Sequence, residues 1–297
     1  MKMGKKLTIY MIDGKEYGPR TIEIGNWSGK AIYTPRNMIM NILSRNEFDN
    51  PGVYFLKSNP ENEAYSEKVY IGEAENIKAR IKTHLTDSKR DFHELVFFIS
   101  KDELLTKAHI KYLESRIIQI AKISKSAEIE NTQTPSLPSL HEADISDMEY
   151  FLDQIKLILP VTGLELLKPS VIKIDRNNQH LLKQEATVEM WRIKTKNYNA
   201  KMYESEEGFI VTEGSEANLN TSKSLTQGYK NLKKKLITSG SLKKENDKLL
   251  FAEDVIFNSP SAASNIVLGR QSAGPIQWIN SKGKTYKEVQ EKEIKEK

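Results

Sequence analysis

Six side chains that can exchange protons, carry positive charge or bind a cation lie within about eighty residues of the sequence. They are two tyrosines, an arginine, a histidine, a glutamate and an asparagine: Tyr54, Tyr70, Arg80, His84, Glu114 and Asn131. Arg80 and His84 are four residues apart, so they project from one face of a predicted helix. Taken singly, the tyrosines are typical of strand packing and Arg80 of a solvated helix. Glu114 follows Leu113 on an otherwise buried stripe, where an acid is either a surface residue or an anchored ligand.

Several other kinds of site are excluded by residue type or spacing. The sequence has no cysteine, which removes disulfides, thiolate zinc sites and a cysteine nucleophile. The five histidines form no close zinc-ligand pair: His84, His93, His109, His141 and His180. Gly283-Lys284-Thr285 imitates the end of a phosphate-binding loop, but Trp278 stands where the first glycine is required, which favours a turn. Ser272 misses the spacing of a nucleophile elbow by one position.

The charge balance favours a polyanionic partner such as nucleic acid without requiring one. The 297 residues include 45 Lys and Arg against 40 Asp and Glu, which gives a net charge of +5. No apolar run approaches the roughly 18 residues of a membrane span. The apolar run after the first lysines is too short for a signal peptide. We therefore expect a cytoplasmic protein without membrane association.

The elements that position the six side chains follow from hydrophobic periodicity. Residues 1–50 predict a small β-rich appendage, and residues 51–165 a mixed domain with a trailing helix. Short strands are predicted at 53–56, 69–71 and 95–99, and helices at 76–85 and 106–123. Ser146 and Glu149 have the spacing of a capping box for the helix that ends before Pro160. Pro160, Gly163 and Pro169 mark the boundary to an accessory domain over residues 170–297.

In the accessory domain, the sequence pattern predicts strands near 186–193 and 208–212 and two helices. One helix has an apolar face surrounded by lysines: Leu225, Tyr229, Leu232 and Leu236 on the face, and Lys230, Lys233, Lys234 and Lys235 around it. The other is expected to begin at Ser259 with Pro260 in its first turn and to end at Gly269. A lysine cluster of this kind is a solvated face in most proteins.

Residues 51–131 resemble the GIY-YIG nuclease superfamily. The tripeptides Gly52-Val53-Tyr54 and Tyr70-Ile71-Gly72 match its two motifs, and Arg80, His84, Glu114 and Asn131 follow in the order of the family. The runs 111–116 and 130–135 also resemble a bacterial subset that carries a further C-terminal domain. The resemblance implies an α/β (α+β) catalytic domain with a small central antiparallel sheet flanked by helices.

The resemblance also implies a reaction, namely hydrolysis of a phosphodiester bond with one divalent metal ion. Mg²⁺, or Mn²⁺, would be held by Glu114, and Arg80 would bind the scissile phosphate. Tyr54 would activate water as the general base, although Tyr70 is open for the same role. Because a free phenol has a pKa near 10, this base needs a cation nearby. His84 would orient a tyrosine or relay a proton, and Asn131 would steady the site by hydrogen bonding.

Two features depart from the pattern of that family. Tyr54 and Tyr70 are sixteen residues apart, which predicts an enlarged loop over 58–68 between their strands. Glu73 follows Gly72 where some relatives carry a lysine, so a phosphate contact from that position is not expected. Neither departure removes one of the six assigned side chains.

The C-terminal part resembles a domain of unknown function, DUF4357, found appended to such nucleases. The similarity lies in residues 259–263, in 267–270 and at Trp278. It leaves two interpretations open, a helix docked through its small residues with Trp278 in the core, or a module that reads DNA. Beside a nuclease, Lys230, Lys233, Lys234, Lys235 and Arg270 would supply nucleic-acid contacts.

The function that this implies is a Mg²⁺-dependent DNA endonuclease with a one-metal mechanism. The alternative is a DNA-binding or sensing adaptor that keeps the nuclease fold without turnover, and an RNA-directed nuclease is a third option. The expected partner is DNA, either duplex or branched. Since one active site cuts one strand at a time, a homodimer on DNA is a further expectation.

Overall fold

The computed structural model describes residues 4–61, 65–87, 90–102, 104–168, 171–172, 189–205 and 208–296. The chain divides into two compact units, Met1–Lys168 and Pro169–Lys297. Within the described residues there are eight α-helices and three β-sheets, so the fold is mixed α+β. No helix in that part of the chain is long and apolar enough to cross a membrane.

The N-terminal unit is built on one seven-stranded sheet. Its strands are β1 (Leu7–Met11), β2 (Arg20–Ile24), β3 (Gly29–Pro35), β4 (Gly52–Ser58), β5 (Lys68–Ala74), β6 (Glu94–Ser100) and β7 (Glu128–Ile129). They lie in the order β1-β2-β3-β6-β4-β5-β7, and all neighbours are antiparallel except β5 and β7. The first three strands continue the sheet of the segment 51–165, because β3 pairs with β6 along its whole length. The β-rich segment 1–50 thus shares one sheet with the strands that carry Tyr54 and Tyr70.

Helices cover both faces of this sheet. They are α1 (Ile39–Ile42), α2 (Ile77–Thr86), α3 (Lys107–Ser124) and α4 (Glu142–Ile158). Since side chains alternate along a strand, Val53 and Phe55 pack with α3 and α4, whereas Tyr54 and Leu56 face α1 and α2. Tyr54 therefore lies on the same side of the sheet as the helix that carries Arg80 and His84.

Local signals explain where α2 and α3 begin. Asn76 caps α2 by accepting a hydrogen bond from the Ala79 backbone N–H at 2.8 Å, and Thr106 caps α3 with His109 completing the capping box. The predicted capping box at Ser146 is wrong, because α4 begins one turn earlier, after His141. Glu149 instead accepts hydrogen bonds from the Tyr112 hydroxyl at 2.8 Å and Arg116 Nε at 2.5 Å.

The described part of the C-terminal unit contains two sheets and four helices. One sheet is ordered β8-β15-β11-β10-β9 and the other β12-β14-β13. The strands are β8 (Val171–Ile172), β9 (Met190–Lys194), β10 (Asn199–Ser205), β11 (Gly208–Val211), β12 (Glu216–Asn218), β13 (Leu242–Glu245), β14 (Lys248–Phe251) and β15 (Asp254–Phe257). The helices are α5 (Gln227–Thr238), α6 (Pro260–Leu268), α7 (Gly274–Gln277) and α8 (Tyr286–Glu296). Residues 186–188 of the first strand predicted here lie outside the described residues.

Candidate active site

Tyr54 is the centre of the candidate site. Its side chain is completely buried, and its hydroxyl oxygen lies 2.8 Å from His84 Nε2 and 3.0 Å from Arg80 Nε. Both partners come from α2, one turn apart, as their spacing predicts. Arg80 is exposed, so one side chain links a buried phenol to the surface.

The direction of the two hydrogen bonds follows from the chemistry of the groups. Arg80 only donates, so the Tyr54 oxygen accepts from Nε–H. Burial, Arg80 and Arg90 lower the pKa of His84 to about 4, so the imidazole is neutral at pH 7. The Tyr54 hydroxyl then donates to an unprotonated Nε2, and the imidazole proton is on Nδ1. Burial and Tyr70 raise the pKa of Tyr54, against the opposing effect of Arg80. The resting phenol is therefore neutral.

Gly72 lies directly across from Tyr54 in the β4–β5 pairing. A Cβ atom at this position would lie 2.4 Å from both the ring carbon Cζ and the hydroxyl oxygen of Tyr54. Ordinary contacts begin near 3.4 Å. The second tripeptide therefore requires glycine because the ring of the first tripeptide lies against its backbone.

Tyr70 completes the aromatic part of the site. It is half-buried, and its ring centroid lies 6.1 Å from that of Tyr54 and 5.7 Å from that of His84. Tyr70 also acts on its neighbours electrostatically, since it contributes to the raised pKa of Tyr54 and to the raised pKa of Arg80. Tyr70 thus packs beside both members of the hydrogen-bonded Tyr54–His84 pair.

Arg90 is a site residue that the sequence did not reveal. Its guanidinium carbon lies 3.8 Å from the ring centroid of Tyr70, and its Nη1 lies 3.0 Å from Glu130 Oε1. Within the described residues Nη1 has no aligned hydrogen-bond partner, so charge attraction holds the pair. Stacking on a ring depends on tertiary placement, and no spacing in the sequence indicates it.

Asn131 joins the site through the backbone of β5. Its Oδ1 accepts from the Ile71 N–H at 2.9 Å, and its Nδ2 donates to the Ile71 carbonyl at 2.8 Å. Strand β7 ends at Ile129, and beyond it this carboxamide supplies the acceptor and the donor that a longer neighbouring strand would offer to Ile71. Asn131 thereby fixes the strand segment between Tyr70 and Gly72.

Glu114 lies on α3 and is half-buried. Burial and the nearby Glu73 carboxylate raise its pKa to about 7, while Arg80 and the Glu73 backbone oppose the rise. Two carboxylates that lack sufficient positive charge are a suitable oxygen donor set for a hard divalent cation. The described residues contain no cluster of three or more metal-binding side chains. An ion at Glu114 would therefore complete its coordination with water and substrate oxygens.

The structure thus joins Tyr54, Arg80 and His84 by hydrogen bonds, and the Tyr70 ring packs beside those of Tyr54 and His84. Asn131 is linked to them through Ile71, and Glu114 is coupled electrostatically to Arg80. Glu73, which the sequence comparison treated as a lost phosphate contact, lies beside Glu114. Glu73 lies on a strand and Glu114 on a helix, and no spacing in the sequence indicates that the two carboxylates lie close together.

The basic residues of the C-terminal unit do not form one exposed face. Lys233 is buried, and its Nζ donates to the carbonyls of Asn218 at 2.6 Å and Asn220 at 3.3 Å. Burial lowers its pKa to about 8. A phosphate cannot reach this ammonium, so Lys233 differs from the predicted role. Lys234 and Arg270 are exposed, whereas Lys230 and Lys235 are half-buried. Trp278 lies in the core and donates from Nε1 to the Pro260 carbonyl at 2.9 Å.

Comparison with known families assigns part of the C-terminal unit. Residues 191–290 match the domain of unknown function DUF4357. No curated protein and no solved structure matches the chain. The family comparison gives no support for the nuclease resemblance of residues 51–131, which rests on the motifs and on the geometry described above.

Proposed function

We propose that the protein is a metal-dependent endonuclease that hydrolyses phosphodiester bonds in DNA. The observation that carries the proposal is the contact of the Tyr54 hydroxyl with both Arg80 and His84, near a half-buried glutamate whose pKa is raised by burial and by a second carboxylate. A neutral imidazole that accepts the phenolic hydrogen bond and a guanidinium that steadies the phenolic oxygen form a device that orients and polarises this hydroxyl. The motif resemblance supplies the reaction in which such a device would act.

Burial of Tyr54 favours Tyr70 as the residue that meets the attacking water. Tyr70 would take the proton of the water and pass its own to Tyr54, which donates to His84 Nε2. Arg80 would stabilise negative charge on the Tyr54 oxygen during this shift. The low pKa of His84 makes its protonated form a strong acid, which would return the proton after cleavage.

Arg80 has a second task in this proposal. Its Nε–H is committed to Tyr54, and the side chain is exposed, so further N–H groups can bind a phosphate oxygen. Mg²⁺ or Mn²⁺ at Glu114, with Glu73 beside it, would supply Lewis-acid polarisation of the phosphate. Asn131 would hold β5 in register, so that Tyr70 keeps its place.

The second candidate function is a DNA-binding adaptor without turnover. The complete burial of Tyr54 and its raised pKa favour this alternative, because a buried neutral phenol is a poor base. The nuclease proposal remains the stronger because Glu114 and Arg80 are both present beside it. The motifs alone do not separate DNA from RNA as the substrate.

The test is cleavage of supercoiled plasmid at low salt with Mg²⁺, with EDTA, and with Glu114→Gln. Asp147→Asn is the matched control, because it removes one exposed carboxylate from the same unit. We expect nicking that needs both the metal and Glu114 and that Asp147→Asn retains. Binding of methylated and unmethylated plasmid without any cleavage would favour the adaptor. A parallel assay on RNA identifies the nucleic acid, and light scattering with and without duplex tests for the homodimer.

A further inference from the structure

A short loop of the C-terminal unit, Gly269–Ala273, is held by hydrogen bonds to buried polar side chains of α6. We refer to it as the Arg270 loop. Asn265 Oδ1 accepts two hydrogen bonds from Ser272, at 2.7 Å from its backbone N–H and at 2.9 Å from its hydroxyl. The Ser272 hydroxyl also lies 2.7 Å from that of Ser264. Asn265 and Ser264 are both completely buried in α6, so the middle of the loop is anchored to the core.

Gly269, the first residue of the loop, is also fixed by its neighbours. Gly269 has a φ of 65°, and a Cβ atom there would lie 2.3 Å from the Asn220 carbonyl oxygen. Its own carbonyl accepts a hydrogen bond from the Ser222 N–H at 2.7 Å. At the other end, the Gly274 N–H donates to the Ser261 hydroxyl at 3.2 Å. The backbone between these anchors has little freedom, while Arg270 and Gln271 are exposed on it.

The network leaves the carboxamide nitrogen of Asn265 without a hydrogen bond among the described residues. Its Nδ2 is buried and has no hydrogen-bond partner within the described part of the chain. A buried donor without a partner is destabilising, and such groups in folded proteins call for an explanation. Here the explanation is the orientation of the carboxamide. Its Oδ1 must face Ser272 to fix the geometry of the exposed loop, and this orientation leaves Nδ2 without a partner in the described part of the chain.

Two segments that meet at the loop contain no acidic residue. No aspartate or glutamate occurs over residues 219–240 or over residues 255–287. The two segments meet at Gly269, through Asn220 and Ser222. The exposed or half-buried cations Lys223, Lys230 and Arg270 make no ion pair within the described residues. This surface therefore matches a polyanion.

We propose that the Arg270 loop is a base-reading element for duplex DNA, with Arg270 and Gln271 directed to base edges and Lys223 and Lys230 to phosphates. Arginine pairs bidentately with guanine and glutamine with adenine, and both need a fixed backbone to do so. The choice of DNA rests on the proposed function of the protein. The loop would give the enzyme a preferred sequence.

The test is selection of bound duplexes from a randomised pool by the full chain in EDTA, so that cleavage plays no part. We expect the wild type to enrich sequences with a fixed guanine. Arg270→Ala, and Arg270→Lys, which keeps the charge, should weaken binding of that sequence about 10- to 100-fold and relax the choice at that base. Gln271→Ala should relax an adjacent position. Lys230→Ala should weaken all sequences equally and reduce the salt slope by about one.

Lys243→Ala serves as the control, because it removes an exposed cation from β13 in the same unit. Thermal unfolding of each variant shows whether the fold is intact. The proposal is overturned if folded Arg270→Ala and Gln271→Ala variants enrich the same sequences as the wild type with equal affinity, or if the wild type enriches none. Tighter binding of RNA than of duplex DNA would also overturn it. Because binding is measured without metal, failure of plasmid cleavage leaves this result standing, and the two proposals fail separately.

Discussion

Replacing Gly72 by alanine is expected to disable the candidate site by displacing one ring. The new methyl group would lie 2.4 Å from the Tyr54 Cζ and hydroxyl oxygen, so the ring must move by about 1 Å to reach an ordinary contact of 3.4 Å. The ring is completely buried and has His84 and Tyr70 beside it, so a shift of this size strains its neighbours. Overpacking of this kind costs about 1–3 kcal/mol of stability.

The effect on cleavage should exceed the effect on folding. A shift of about 1 Å stretches the 2.8 Å and 3.0 Å contacts of the Tyr54 hydroxyl beyond hydrogen-bond range. Misplacement by about 1 Å can reduce turnover about 100-fold. We therefore expect plasmid nicking by Gly72→Ala to fall about 100-fold in kcat at a temperature where urea unfolding shows a folded protein.

Gly25→Ala is the matched control. A Cβ atom at Gly25 would meet no atom within 4 Å, and its backbone conformation suits other residues. This variant should fold and cut as the wild type does. The reasoning would be refuted by a Gly72→Ala protein with wild-type stability and turnover. A destabilised Gly72→Ala protein with unchanged kcat would show that the Tyr54 contacts serve folding rather than chemistry.

Three further predictions concern single charged groups. Lowering the pH from about 6.5 to about 4 should destabilise the fold by up to about 3 kcal/mol, because His84 has a pKa of about 4 when folded and about 6.5 when unfolded. Urea unfolding of His84→Gln should lack this component, and an unchanged pH dependence would contradict the assignment. Lys233→Met should abolish a rise in stability between pH 8 and 10.5, since burial lowers the pKa of this lysine from 10.5 to about 8. The salt dependence of its DNA binding should equal that of the wild type, and a smaller slope would mean that Lys233 reaches phosphate. Arg90→Gln should lower kcat about ten-fold without changing KM, by releasing Tyr70, whereas Arg20→Gln, which removes a similar stack on Tyr33, should not. Equal losses in the two variants would leave Arg90 without a special role.

The sequence predicts those features that depend on local spacing. Arg80 and His84 share a helix face because four residues separate them, and α2 and α3 lie within one residue of their predicted bounds. Gly269 ends α6 as expected, with a positive φ. These features follow from capping and periodicity, which act over a few residues.

What the sequence could not predict depends on contacts between distant residues. Strands β1 to β3 join the sheet of the following segment because β3 pairs with β6, about seventy residues later. Lys233 looks like its neighbours in a lysine run, but its Nζ donates to two backbone carbonyls of another segment. Arg90 and Glu73 reach the site from a connection and a strand, with no spacing that relates them to Tyr70 or Glu114.

The carboxamide of Asn131 also has a consequence for self-association. An unpaired strand edge is a template on which a second chain can add a strand. Strand β7 covers β5 over only two residues, and Asn131 occupies both backbone groups of Ile71 just beyond them. One side chain therefore blunts an edge that would otherwise be open. Loss of this carboxamide would expose the backbone groups of Ile71 to pairing with a second molecule, so Asn131 both fixes β5 and covers its edge.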